Sequence, residues 1–227
     1  MVKLLSWIIS RVKKDQFNFD SNIPSGYLVN FIIVEFFRML YGTISLRGSN
    51  LAFRSFNSKL KCRGKFYHAG NVRIESNVFI NALSIYGIKC GRNVSFGRNT
   101  TMIVSGSLQS LGKGVVIGNN VGLGTHGFYG GSGGLEIGDD TIFGNYVSVH
   151  PENHNYGDLD IPIRLQGVNH KGIKIGKGCW IGAKATILDG ADIGDGCIVA
   201  AGAIVRGKFP PNSIIGGIPA KIIKMRK

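Results

Sequence analysis

From Ile175 onward the aliphatic residues keep a period of six: Ile175, Ile181, Ile187, Ile193, Val199 and Val205. Four places after each of the first five stands a small residue: Cys179, Ala185, Ala191, Cys197 and Ala203. Glycine follows the aliphatic residue at Gly176, Gly182 and Gly194, and Ala200 takes that place once. An amphipathic helix repeats every ~3.6 residues and a half-buried strand about every two, so a period of six is neither alone. It matches a short strand plus a corner, with three such units closing a triangular turn. The aliphatic residue then points inward and the small one fits beside the corner. Successive turns stack into one continuous core in which each touches only its neighbours.

The same rhythm returns upstream with interruptions. Leu111, Ile117 and Leu123 are six apart, as are Ile137, Phe143 and Val149, and Ile74 and Ile80 repeat the spacing once. Between Leu123 and Ile137 two residues are extra, and the run GGSGG at 130–134 is the place for them. Between Val149 and Ile175 lie polar residues without a clear repeat, predicting an excursion from the coil over 150–172. The coil is therefore expected over 66–227, preceded by a separate N-terminal extension, 1–65. In that extension Ile32, Ile33, Phe36, Phe37 and Leu40 follow the three-to-four spacing of an amphipathic helix, with Lys and Arg nearby. Two compatible roles stand open: a cap over the open end of the coil, or a basic, aromatic helix lying on a membrane surface through residues 1–60. The apolar stretch 27–41 is too short to span a bilayer and is interrupted by Glu35 and Arg38. Residues 1–12 are apolar but lack the long core and small-residue cleavage site of a secretory signal.

Composition agrees with many tight corners: 34 Gly beside 6 Pro, with 44% hydrophobic residues, is neither collagen nor a disordered tail. The net charge of +14 calls for an anionic partner, and it is uneven. Residues 1–65 carry eleven Lys or Arg against Asp15, Asp20 and Glu35, a balance of +8. No zinc-finger spacing, RNP-like aromatic motif or recognition helix accompanies the charge, so nucleic acid is not the expected partner. A membrane surface or a phosphorylated small ligand accounts for it. The four cysteines form no C-x-x-C pair, and Cys179 and Cys197 occupy slots otherwise filled by Ala, which makes them packing residues in a reduced, cytoplasmic setting.

The segment 180–224, WIGAKATILDGADIGDGCIVAAGAIVRGKFPPNSIIGGIPAKIIK, closely resembles the hexapeptide-repeat acyltransferases, and within them the sugar and polysaccharide O-acetyltransferases. The resemblance covers roughly 66–227 and rests on the combination W-I-G, A-G-A-I-V, P-P and G-I-P-A-K. It implies an all-β fold, a left-handed parallel β-helix, whose hand departs from the usual right-handed crossover. It also implies a homotrimer with sites between subunits, acetyl-CoA as cosubstrate, a carbohydrate acceptor and no metal.

In such enzymes one loop histidine takes the proton from a sugar hydroxyl, which attacks the thioester of acetyl-CoA. Neutral imidazole suits that step because its pKa lies near working pH. Two histidines compete in VSVHPENHNYGD, 147–158. The H-P pair at His150 is similar to the galactoside-type motif. The run His154-Asn155-Tyr156-Gly157-Asp158 is similar to the H-D-Y-S-D form of the polysaccharide type, and IPIRLQG at 161–167 also looks like that group. His154 is accordingly favoured as base, with His150 as substitute, and Asn155, Tyr156 and Arg164 as acceptor contacts. His126 lies near where galactoside-type members carry a substrate-contacting asparagine, which this chain does not keep. Gly144, Ala183 and Ala201 match the small positions along the pantetheine, and Trp180 the tryptophan bordering the acceptor pocket. Arg206, Lys221 and Lys224 are candidates for CoA phosphates. Other classes remain in view: N-acetylation of an amino sugar, a zinc enzyme of the γ-carbonic-anhydrase type using His126, His150 and His154, and a non-catalytic scaffold.

Overall fold

In the computed structural model residues 19–20, 22–46 and 50–227 are described, so the apolar run 1–12 lies outside the described residues. Each turn of the coil is three short parallel strands on three faces. Face A runs from Ala52–Arg54 through Val72–Ile74, Ser95–Phe96, Gly122–Leu123, Ile142–Phe143, Trp180–Ile181 and Ile198–Val199 to Ser213–Gly217. Face B holds seven strands, from Lys59–Lys61 to Ile204–Val205, and face C seven, from Phe66–His68 to Lys208–Phe209. Over the described residues this is a left-handed parallel β-helix preceded by one helix, α1 (Ser25–Leu46).

The period of six builds this coil because parallel register stacks like on like. Phe143 pairs with Ile181, and Ile181 with Val199, all pointing inward. All six aliphatic residues and all five small residues of the C-terminal repeat are buried. Burying one Val or Ile side chain is worth ~1.5–3 kcal/mol, and the gain recurs at every step of the coil.

The corners explain the asparagines. Asn71, Asn93 and Asn120 take positive φ at the corner leading from C to A, and Asn77 and Asn99 do so between A and B. Asn tolerates this left-handed conformation better than most L-residues. Here it also forms a ladder: the Asn71 amide donates to Asn93 at 2.6 Å, Asn93 to Asn120 at 2.8 Å and Asn120 to Asp140 at 2.8 Å.

All the irregularity sits at the corner from B to C. Steps from A to B and from C to A stay at six, as in Phe143–Val149 and Ile175–Ile181. Extra residues enter after Leu60, Ile80, Met102, Tyr129 and Val149, and in each case the chain rejoins the coil on face C, at Phe66–His68, Ile88–Cys90, Val115–Ile117, Leu135–Ile137 and Ile173–Ile175. The last of these is the expected excursion.

Three expectations change. The coil begins at Ala52 rather than near 66, since Ala52–Arg54 pairs in parallel with Val72–Ile74. Its first turn hides the repeat by burying Arg54 where the next turns bury Ile74 and Phe96, and Ser58 where the next turn buries Val78. Leu111 is exposed, because it lies on an insertion that Ser105 ties down by accepting from Gly112 N at 2.9 Å and donating to Leu83 O at 2.6 Å. Helix α1 spans 22 residues rather than the fifteen of 27–41, long and apolar enough to cross a membrane by length and composition. It turns Ile33, Phe36, Phe37 and Leu40 outward. It meets the first strand instead through Gly42, where a Cβ would lie 2.4 Å from the carbonyl oxygen of Ala52. At the other end Ala220–Met225 folds back antiparallel on Ser213–Gly217 and covers the open edge of face A.

Candidate active site

The excursion leaves face B after Ser148–His150 and rejoins the coil at Ile173–Ile175 on face C. A buried carboxylate holds its root. Asp189, 3% exposed, accepts from Lys171 N and Gly172 N, each at 2.8 Å, and from the Asn153 amide at 3.1 Å. Both ends of the excursion are thus tied to one side chain on the next turn. Gly172 takes φ +87° there, a conformation a side chain would resist.

Above the root, Asn153–His154 pairs antiparallel with Val168–Asn169. Asn155 braces this ladder: its N–H donates to Gly167 O at 3.0 Å and its amide to Gln166 O at 2.9 Å, and it accepts from the Asn169 amide at 2.6 Å. Gln166 in turn donates to the carbonyls of Asp158 and Ile161, both at 2.6 Å. His154 rides on this braced ladder with an exposed ring that makes no hydrogen bond or ring contact among the described residues.

His150 is held differently. Its Nε2 lies 2.5 Å from the Ser148 hydroxyl, and its ring stacks on Phe128 at 5.3 Å. Partial burial lowers its pKa from the ordinary 6.5 and so favours the neutral imidazole. His126 stands apart, in the asparagine ladder between faces A and B, at φ +58°. Its Nε2 is 2.9 Å from the Asn99 amide and its ring stacks on Tyr146 at 4.7 Å. Among the described residues no three His, Cys, Asp or Glu side chains converge on one point.

The remaining candidates form a second group elsewhere. Ala183 and Ala201 share one register at the corner between A and B, and Gly144 stands one place before that register on the preceding turn, where a Cβ would lie 2.6 Å from Ala183 N. Trp180 is half-exposed on face A between Ile142 and Ile198. Lys221 and Lys224 lie on the returning strand of that sheet, opposite Gly216 and Ile214. Arg206 belongs with the histidines instead, at the corner from B to C. Tyr156 and Arg164 are exposed on the excursion, while Asn155 spends its amide on bracing.

A groove of about 640 Å³ runs along face C beside the root of the excursion, and Lys89, Lys113, Lys171, Lys174 and Lys208 line it. Glu136 and Asp192 answer only part of that charge.

Sequence reasoning missed Asp189, which reads in L-D-G-A as an ordinary turn residue. Its one signal is a carboxylate at a corner of the most regular stretch of the repeat. It also missed Ser148, two places before His150 on the same strand, and Phe128, which reaches His150 only because neighbouring turns stack.

The comparisons with known proteins fit this architecture. The family model for the bacterial transferase hexapeptide (six repeats) matches residues 172–207. The putative lipopolysaccharide biosynthesis O-acetyl transferase WbbJ of Escherichia coli (strain K12) is 32% identical over 142 residues, 58% of this chain and 71% of that protein. The probable acetyltransferase Rv3034c of Mycobacterium tuberculosis is 33% identical over 178 residues; the match covers 78% of this chain and only 55% of that longer protein. Among solved structures, a point mutant of AntD, an N-acyltransferase from Bacillus cereus in complex with dTDP and coenzyme A, superposes with TM-score 0.57 at 26% identity. That match spans 71% of this chain and 84% of AntD.

Proposed function

This chain belongs to the hexapeptide-repeat, left-handed β-helix acyltransferase family, and we propose that it transfers the acetyl group of acetyl-CoA to a sugar hydroxyl of a glycan or glycan precursor. The carrying observation is the placement of two groups of residues. His154 and His150 stand at the corner between faces B and C, whereas Gly144, Ala183, Ala201 and Trp180 lie on face A or at its corner with B. In a triangular coil the first corner is opposite face A, so one chain cannot bring the two groups together. Three copies in a closed ring do, each excursion lying against face A of the next. The excursion carries Leu159, Ile163 and Leu165 on its surface and face A carries Ile142 and Trp180, apolar side chains that such contact covers.

His154 is the base. Its ring is free to meet an acceptor, whereas Ser148 and Phe128 already engage His150. Imidazole takes the hydroxyl proton as the sugar oxygen attacks the thioester carbonyl carbon; a C–O bond forms, the C–S bond breaks, and the proton passes to the CoA thiolate. Rigid bracing keeps the base in place and lowers the entropic cost of reaching the reacting geometry. The lysines beside the root suit phosphates of CoA or of a phosphorylated acceptor. The enzyme works in the cytoplasm, where acetyl-CoA is made.

The likeness to AntD favours a second reading, transfer to the amino group of an amino sugar. Thiol release from acetyl-CoA, measured against methyl glycosides and against glucosamine, separates the two. An O-acetyl product loses its acetyl group in mild base and an N-acetyl product keeps it. No acceptor-dependent thiol release with either class overturns both. Co-expression of His154→Ala chains with Trp180→Ala chains tests the shared site: activity above either homotrimer supports it, and none refutes it.

A further inference from the structure

Helix α1 meets the coil through its polar side and presents its apolar side outward. Glu35, Arg38 and Gly42 form the docked stripe. Glu35 pairs with Arg38 at 2.7 Å and with Arg73 at 2.5 Å, and Arg38 reaches Glu75 at 3.0 Å. Away from this stripe lie Tyr27, Phe31, Ile33, Phe36, Phe37 and Ile44, each between 37% and 68% exposed. Glu35 and Arg38 are the only charged residues of the helix, so the outer face has none. This is the reverse of the usual surface helix, which buries its apolar stripe, and such a patch on a folded chain marks a contact.

The charge around the patch says what it contacts. Between Glu35 and Glu75 the chain has no acidic residue and eight basic ones. Arg38 and Arg73 are taken up by those two glutamates. On the first turn of the coil Lys59, Lys61 and Arg63 are exposed, and Arg63 donates to Ser45 O at the C-terminal end of the helix at 2.9 Å. The apolar face continues onto that turn through Phe56, which is exposed and lies 4.6 Å from the Tyr41 ring. An apolar, aromatic face whose two nearby glutamates are already paired with arginines, with Lys59, Lys61 and Arg63 exposed at its C-terminal edge, fits the headgroup boundary of an anionic bilayer.

We infer that the protein docks on anionic membrane surfaces through the outer face of α1 and the first turn of the coil, with α1 lying in the interface. Crossing the bilayer would require Glu35 and Arg38 to leave Arg73 and Glu75 for hydrocarbon. Docking at the interface keeps those pairs and buries only the face that is already apolar. The inference goes beyond acetyl transfer and does not depend on it.

The test is co-sedimentation of the full chain, without acetyl-CoA, with vesicles of phosphatidylcholine and phosphatidylglycerol at roughly three to one. The variants are Phe36→Glu with Phe37→Glu, and Lys59→Gln with Lys61→Gln. Wild type is expected to bind these vesicles and to bind phosphatidylcholine alone far more weakly. The phenylalanine variant should lose binding at least about tenfold with an unchanged circular dichroism spectrum. The lysine variant should weaken by about fivefold per cation at low salt. Wild type that ignores anionic vesicles overturns the inference. So does a phenylalanine variant that changes oligomeric state while wild type binds no vesicles, which would make the face a contact between copies. Membrane association that survives alkaline carbonate would show a spanning helix instead. Since acetyl transfer to a soluble glycoside is read separately, failure of either idea leaves the other standing.

Discussion

Replacing Asp189 by alanine should free the excursion while leaving the coil folded. Asp189 accepts two backbone N–H groups, from Lys171 and Gly172, and the Asn153 amide, which together fix both ends of the segment. Hydrogen bonds to a charged acceptor are worth ~1.5–3 kcal/mol each, and a buried donor left unmet costs ~1–3 kcal/mol. Lys171 is exposed and Gly172 half-buried, so water recovers part of that loss. A net loss of about 2–3 kcal/mol in the opening free energy of the excursion follows. Amide exchange over 153–172 should then accelerate by roughly 30- to 150-fold. Native-state hydrogen exchange read by mass spectrometry measures this directly. Exchange on the strands Trp180–Ile181 and Ile198–Val199 should stay slow, and turnover should fall because the base is no longer held. Unchanged protection over 153–172 would refute the anchoring role. Equal acceleration along the whole coil would show that Asp189 supports the core instead.

Other consequences can be checked at once. Gly42→Ala puts a Cβ 2.4 Å from the Ala52 carbonyl oxygen and 2.8 Å from Arg54 N, so backbone must move; denaturant melts should show a loss of ~1–3 kcal/mol. Of the four cysteines Cys62 is exposed, while burial raises the thiols of Cys90 and Cys179, the latter to about 11. At neutral pH a thiol reagent should therefore label Cys62 quickly and the other three only on unfolding. Burial depresses the pKa of His68 and His150 below 6.5, so in acid the unfolded chain takes up those protons first. Stability should be level above 6.5 and fall as pH drops through the folded values, and His150→Gln should flatten that slope in denaturant titrations.

What could be read from the sequence was what repeats. Ile175 through Val205 and the small residues between them announced the coil because every turn solves the same packing problem. The excursion was visible as the place where the pattern stops. The first turn was hidden because Arg54, buried there, bonds to Ser58 and Ser45 instead of packing like an aliphatic residue. Helix α1 was legible as a helix, but its spacing shows which residues share a face and not whether that face meets protein. Gly42 and the ion pairs of Glu35 and Arg38 decided that, and they depend on Ala52, Arg73 and Glu75, far away in sequence. The two histidines lie four residues apart in the chain, yet one is engaged by Ser148 and Phe128 and the other is raised on a ladder. The strand conformation that puts Ser148 beside His150, the stacking of turns that brings Phe128 to it, and the antiparallel pairing with Val168–Asn169 make that distinction.

The most direct test of the account is the turnover number of His154→Ala with acetyl-CoA and the best methyl glycoside, beside the rise in melting temperature that CoA gives the same variant. General-base catalysis is worth roughly a hundred- to ten-thousand-fold, so kcat should drop by that factor while CoA stabilises the variant as it does wild type. His150→Ala should keep most of its turnover. Wild-type turnover in His154→Ala, with the loss falling on His150→Ala, would contradict the assignment of the base.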